Sequence, residues 1–328
     1  MPNPLTRVRE ILREEGIVAC MARLKQMLHT RSAIDESWYL LNYYLRPSRK
    51  CVKNVHGSKM LLDLNDPGIN RDLFLYGGRE PSSTEIYRKQ LSPGMTIVDV
   101  GANIGYYVLI EARALGTSGK IYAIEPAPKN FEMLQANLEI NSFGCEIESH
   151  NLAISDSVGQ VQFEIAGASN HHRLSVNGSG ANTIEVEATT LDVLLAGKKI
   201  DMVRMDAEGA EWVILRGMRG ILAGNQPLKM FIEVHPKLIR EYRGDLDEWL
   251  EMLADSNFDV QYLVTWVPDS HTVIPYIKGR GPREQTFEYH RPLRELLDDP
   301  QANEILRSRS GHVFGAGYKL FLERGRTD

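Results

Sequence analysis

The side chains of this 328-residue chain that could do chemistry gather where apolar runs give out. Asp99, Gly101, Asn103 and Gly105 alternate at the end of Thr96-Ile-Val-Asp-Val100. Glu125 closes Lys120-Ile-Tyr-Ala-Ile, Asp206 closes Ile200-Asp-Met-Val-Arg-Met, and Glu233 and His235 stand at the end of Leu228-Lys-Met-Phe-Ile-Glu-Val. A glycine-spaced turn that opens a helical run, Tyr106 to Leu115, brings a nucleotide close to backbone N–H groups. Glu125 is an acceptor-only group and suits the two hydroxyls of a ribose. His235 is the candidate general base for an attacking hydroxyl, with Asp206 and Glu233 as its catalytic neighbours. The same three groups could instead ligate a divalent cation, because oxygens with one imidazole suit Mg²⁺ or Mn²⁺. The plain structural alternative for His235 is packing beneath Pro236. Glu208 and Glu211 read as capping or dipole residues in a first helical turn.

To position those groups, strands must alternate with helices. Strands are predicted at 59–64, 96–100, 120–125, 146–152, 160–165, 183–186, 200–205, 228–234, 258–264 and 318–322, with helices over 83–91, 106–115, 128–141, 191–195, 208–222 and 245–254. The alternation implies parallel βαβ units with right-handed crossovers, whose ligands bind beyond the carboxyl ends of the strands. Residues 1–50 read as an N-terminal helical extension, with helices over 5–29 and 34–45. The first of these could pack on the main domain, join two copies of the chain, or lie on a membrane surface. The main domain runs from 51 to 328, and 266–315, rich in Pro and Gly and then helical around 292–307, breaks its rhythm as an insertion or lid over the ligand crevice. The polar loop 167–182 is expected to be mobile and solvated, His171 and His172 included.

Composition narrows the classes. A net charge of −5 argues against a nucleic-acid partner bound through phosphate neutralisation. The three cysteines, Cys20, Cys51 and Cys145, form no CxxC pair, which points to a reducing compartment without structural zinc. No run reaches the roughly 18 apolar residues that span a bilayer, and the N-terminus lacks the apolar core of a secretory signal. The expectation is a soluble cytoplasmic protein.

Two cofactors compete for the glycine turn. A dinucleotide needs N–H donors and room for a pyrophosphate, usually through G-x-G-x-x-G. Here Tyr106 and Tyr107 fill the space behind Gly105, and Asp99 would repel phosphates. S-adenosyl-L-methionine carries an ammonium and a sulfonium and no phosphate, so the acid favours it. Val98-Asp-Val-Gly-Ala-Asn-Ile-Gly-Tyr-Tyr107, Ala123-Ile-Glu-Pro126, Asn130 to Asn141, Ala153-Ile-Ser-Asp156, Thr189-Thr-Leu-Asp192, Met205-Asp-Ala-Glu-Gly-Ala-Glu-Trp212 and Ile232-Glu-Val-His-Pro236 together resemble the FkbM-type methyltransferases over roughly 75 to 240. The family usually has Asp-Val-Glu-Gly where this chain has Asp206-Ala-Glu-Gly209. The resemblance implies a Rossmann-like, seven-stranded class I methyltransferase sheet with its last strand antiparallel. It further implies O-methylation of a hydroxyl on a small molecule, sugar or lipid-linked acceptor. Carried over to this chain, Asp99, Gly101, Asn103 and Gly105 would hold the amino-acid end of the cofactor, Glu125 its ribose, and Ala153 to Asp156 its adenine. A nicotinamide-dependent oxidoreductase and a non-catalytic scaffold of the same fold are the readings from other classes.

Overall fold

The computed structural model describes residues 31–175, 182–224, 227–267, 283–307 and 317–325. The chain divides into two units, residues 1–49 with 268–283 and residues 50–267 with 284–328. In the first, the helix Arg31–Leu45 is held by its own i, i+4 bonds, Asn42 Nδ2 to the Trp38 carbonyl and Arg46 Nε to Asn42 Oδ1. The helices expected over 5–29, and with them the contact for a second copy, lie outside the described residues. Among the described residues no helix is long and apolar enough to cross a membrane.

The second unit carries the strands, built from its apolar and β-branched runs. In chain order they are β1 (Lys50–Val55), β2 (Ser58–Asp63), β3 (Thr96–Val100), β4 (Lys120–Ile124), β5 (Glu146–His150), β6 (Ala153–Ile154), β7 (Gly159–Glu164), β8 (Arg173–Leu174), β9 (Thr183–Thr189), β10 (Met202–Met205), β11 (Leu228–Val234), β12 (Asp259–Val267), β13 (Arg283–Pro292) and β14 (Tyr318–Arg324). Eight form one sheet in the order β13-β12-β14-β11-β10-β3-β4-β5. From β5 to β11 the strands are parallel. The last, β14, enters antiparallel between β11 and β12. The sheet has the seven Rossmann-like strands and the antiparallel last strand that were expected, with β13 added at its edge. In β3, β4 and β10 nearly every residue is buried, as strands covered on both faces must be.

The described part of the segment expected as a lid belongs instead to the body of this unit. Strand β13 joins the main sheet. Leu293, Leu296 and Leu297 of the helix Leu293–Asp298, with Ala302 and Leu306 of Pro300–Leu306, lie in the main core. Their spacing puts them on one face of each helix, so the helical stretch expected around 292–307 is present and its apolar face is buried. Residues 268–282 and 308–315 lie outside the described residues.

Two smaller pieces flank the site. Strands β6, β9, β7 and β8 form a second sheet around Ala127, Ala153, Phe163, Val186 and Ala188. The β1–β2 hairpin is tied down by buried Asn137 on the helix Pro128–Glu139. Its Oδ1 accepts from the Leu61 N–H at 2.6 Å, and its Nδ2 donates to the Ile104 carbonyl at 2.8 Å.

Candidate active site

At the carboxyl ends of β3, β4 and β10 lies a cleft of about 870 Å³, open to solvent. Its floor is the turn after β3. Gly101 has φ +83°, and a Cβ there would stand 1.9 Å from the Asp206 carbonyl oxygen. The turn can therefore press against the end of β10 only if residue 101 is glycine. Every N–H from 101 to 105 already has a partner. Gly101 and Ala102 donate to the Ile124 carbonyl, both at 3.0 Å, and Gly105 donates to Ala102. Asn103 donates to Glu125 Oε2 at 2.8 Å, and Ile104 to Asn103 Oδ1.

Glu125 forms the next wall. It is 4 % exposed and accepts from the backbone of Asn103 and of Ala127. Burial pushes its carboxyl up to about 7, against the pull of those N–H groups and of Asn130. Ala153, Ile154 and Phe163 give the cleft an apolar flank beside Glu125. Asp156 does not reach it; this side chain is exposed and lies 3.6 Å from Arg216.

The opposite wall is charged. Arg204 of β10 stands beside Asp99 of β3 in the parallel register. Its Nη1 meets Asp99 Oδ1 at 2.6 Å, its Nη2 meets Asp206 Oδ2 at 3.1 Å, and its guanidinium lies 4.1 Å from the centre of the Tyr107 ring. Asp99 is wholly buried and does not line the cleft. Its immediate partner is Arg204, where the sequence placed it toward the cofactor's amino-acid end. Lys319 of β14 is buried between Glu233, at 3.3 Å, and Glu80, a second ion-pair partner. Against the effect of burial, Lys319 and Arg79 hold Glu80 down at about 2. Burial, with the charges of Asp206 and Glu80, pushes Glu233 up to about 7 against Lys319.

His235 is 7 % exposed, at the junction of β11 and the helix Pro236–Glu241. Its Nδ1 lies 2.9 Å from Glu211 Oε1, and its Nε2 lies 3.7 Å from Glu208 Oε2 and 3.9 Å from Glu233 Oε1. Burial works against a charged imidazole, yet Glu208, Glu211 and Glu233 outweigh it and push His235 well above the ordinary histidine value. Burial in turn lifts Glu208 to about 8, with Asp206 and Glu233 adding to the effect and His235 opposing it.

The structure thus gathers Gly101, Asn103, Glu125, Ala153 and Asp206 on the cleft. Gly105 turns the chain behind it, with φ +93°, and Glu233 and His235 stand just outside. Glu208 lines the cleft although its place in the turn reads as a cap. Arg79, Glu80, Arg204 and Lys319 were missed. A cation inside an apolar strand such as Met202-Val-Arg-Met205 must meet a buried carboxylate, and that was the available signal. The described first part of the polar loop, 167–175, is anchored where it was expected to be mobile. Asp66 accepts from the N–H and Oγ of Ser169, the Ser169 carbonyl accepts from Asn103 and Asn130, and His172 lines the cleft. Among the described residues, those whose side-chain atoms could approach one cation are Asp206, Glu208 and His235, with ligand atoms within 4.8 Å of one another. Glu208 thus stands where the sequence placed Glu233.

The family model of the methyltransferase FkbM domain matches residues 99–260. Methyltransferase sdnD of Sordaria araneosa is 26 % identical over 219 residues, 54 % of this chain and 79 % of that one. Methyltransferase 1 of Beauveria bassiana is 26 % identical over 144 residues, 37 % of this chain and 57 % of that one. A crystal structure of a putative rRNA methylase from Clostridium thermocellum superposes with a TM-score of 0.41 at 7 % identity, covering 76 % of this chain and 96 % of that one. That likeness is too loose to bear on the acceptor.

Proposed function

We propose, from the premise that this chain belongs through residues 99–260 to the FkbM methyltransferase family, that it moves the methyl group of S-adenosyl-L-methionine to a hydroxyl oxygen of a small-molecule, sugar or lipid-linked acceptor. The observation that carries the cofactor is the state of the glycine turn. All its N–H groups from 101 to 105 are engaged within the protein, so none is left to cradle a pyrophosphate. The same cleft is lined by four carboxyl groups, of Glu80, Glu125, Asp206 and Glu208, against the two guanidiniums of Arg79 and Arg204, an excess that disfavours a pyrophosphate. A cationic, phosphate-free cofactor fits this wall, and a nicotinamide dinucleotide does not. The donor supplies a methyl group on a sulfonium, already a good leaving group.

The chain's part is then mainly to align the reactants. Glu125, its oxygens aimed by the Asn103 and Ala127 N–H groups, takes the ribose hydroxyls. Ala153, Ile154 and Phe163 flank the base. The acceptor proton leaves toward Asp206 on the cleft wall. Calorimetric titration of the full chain with S-adenosylhomocysteine, NAD and NADP tests the reading. Saturable binding of S-adenosylhomocysteine alone is expected, and binding of NAD or NADP alone would overturn it. Incubating cell extract with methyl-labelled donor, followed by mass spectrometry, then identifies the acceptor.

A further inference from the structure

We infer that Asp206, Glu208 and His235 form a site for one divalent cation, with Glu211 as the group that aims the imidazole. Four observations carry it. First, the three ligand atoms lie within 4.8 Å of one another, close to the spacing of about 3–4.5 Å that oxygens and nitrogens show around a cation bound at 2.0–2.3 Å. They come from separate turns, the one after β10 and the one after β11, which the parallel pairing of those strands sets side by side.

Second, Glu211 is built to orient His235. It is wholly buried, and its Oε1 receives the Ala207 N–H at 3.3 Å and the Gly209 N–H at 3.2 Å. Held in this way, it accepts the Nδ1–H of His235 at 2.9 Å. That bond leaves Nε2 as the ring's outward atom, facing Glu208 and Glu233 with neither within hydrogen-bond distance. A carboxylate behind a histidine, setting its tautomer and ring angle, is the usual second layer of a metal ligand.

Third, Glu208 lacks any other counter-ion. Among the described residues its one cationic partner is His235 at 3.7 Å, whereas Asp206 has Arg204 and Glu233 has Lys319. A half-buried carboxylate with no hydrogen bond is an expensive arrangement unless a cation completes it. Fourth, the chain is strained to place it. Glu208 has φ +49°, in the left-handed region that non-glycine residues rarely occupy.

One imidazole with two carboxylates selects a borderline ion such as Mn²⁺ over Mg²⁺, which prefers oxygen alone. Asp206 and Glu208 line the cleft, so the remaining coordination positions open toward it. On the methyltransferase reading, which this role rests on, the ion would select acceptors that present oxygen donors. Binding of the ion itself is independent of that reading.

The test follows the Mn²⁺ electron paramagnetic resonance signal as full-length protein is added, without donor or acceptor. Uptake of one Mn²⁺ per chain is expected. It should weaken at least tenfold in His235→Gln and in Glu208→Gln, weaken about tenfold in Glu211→Gln, and stay within a few-fold in Glu233→Gln. No saturable uptake by the parent protein, or equal uptake by His235→Gln, overturns the site. S-adenosylhomocysteine titration of each variant reports folding and the cofactor pocket separately, so a failed metal site and a failed methyltransferase reading give different results.

Discussion

Glu125 concentrates what a single residue can do here. Its carboxyl is driven to about 7 by burial, from an ordinary 4.5, while two backbone N–H groups aim its oxygens. A ribose bound through two hydroxyl donors needs the ionised form, so affinity for S-adenosylhomocysteine is expected to rise as pH climbs through 7. In Glu125→Gln that dependence should flatten and binding weaken at pH 8, as read by calorimetry across pH 5.5–8.5. A parent profile with no slope would remove Glu125 from the ribose. Stability moves the opposite way. The folded value lies above the unfolded one, so the protein binds more protons than the open chain between 4.5 and 7. Its contribution is full below 4.5 and lost as pH rises through 7, an effect of up to about 3 kcal/mol. Urea midpoints of Glu125→Gln should therefore gain on the parent above pH 7, and fail to do so below 4.5.

At the scale of elements, the site exists because turns meet at distances that side chains would forbid. Gly101 abuts the Asp206 carbonyl, and Gly209, at φ +99°, lies where a Cβ would fall 2.6 Å from both Leu238 and Tyr242, of the helix Pro236–Glu241 and its cap. Gly101→Ala should cost at least about 2 kcal/mol in urea melts, from the left-handed backbone and the clash together. An unchanged midpoint would mean that β3 and β10 can part without loss. These turns were legible from the sequence, because glycine after an apolar run is a local signal. The runs themselves gave β3 and β11 to the residue, and β4 and β10 to within two. Pairing was not legible. Whether Glu208 caps its helix or faces the cleft depends on the register of β10 against β11, and the anchoring of Ser169 depends on Asp66, far away in sequence. Local periodicity holds no record of either contact, and the same gap left β13 as a lid in the sequence and a sheet strand in the fold.

Across the larger unit, strands far apart in sequence place opposite charges against one another in the sheet interior. Glu233 and Lys319 are register partners on β11 and β14. Lys319 is 1 % exposed and also holds Glu80, which in turn accepts from the Tyr107 hydroxyl at 3.1 Å. The antiparallel last strand thus carries the cation that lets two carboxyl groups stand near the cleft wall. Removing one side of a buried ion pair leaves its partner uncompensated and costs about 3–5 kcal/mol, far more than an exposed pair. Lys319→Met should lower the urea midpoint accordingly, and Lys319→Arg should recover part of the loss by keeping the charge. The exposed pair Lys89–Glu85 provides the contrast, and Lys89→Met should leave the midpoint unmoved. Because removal of the ammonium leaves Glu80 and Glu233 less stable as anions, the deficit of Lys319→Met should shrink as pH falls below 7, where Glu233 takes up its proton. A deficit that stays constant from pH 5 to 8 would show that Lys319 acts by packing its chain and not by its charge.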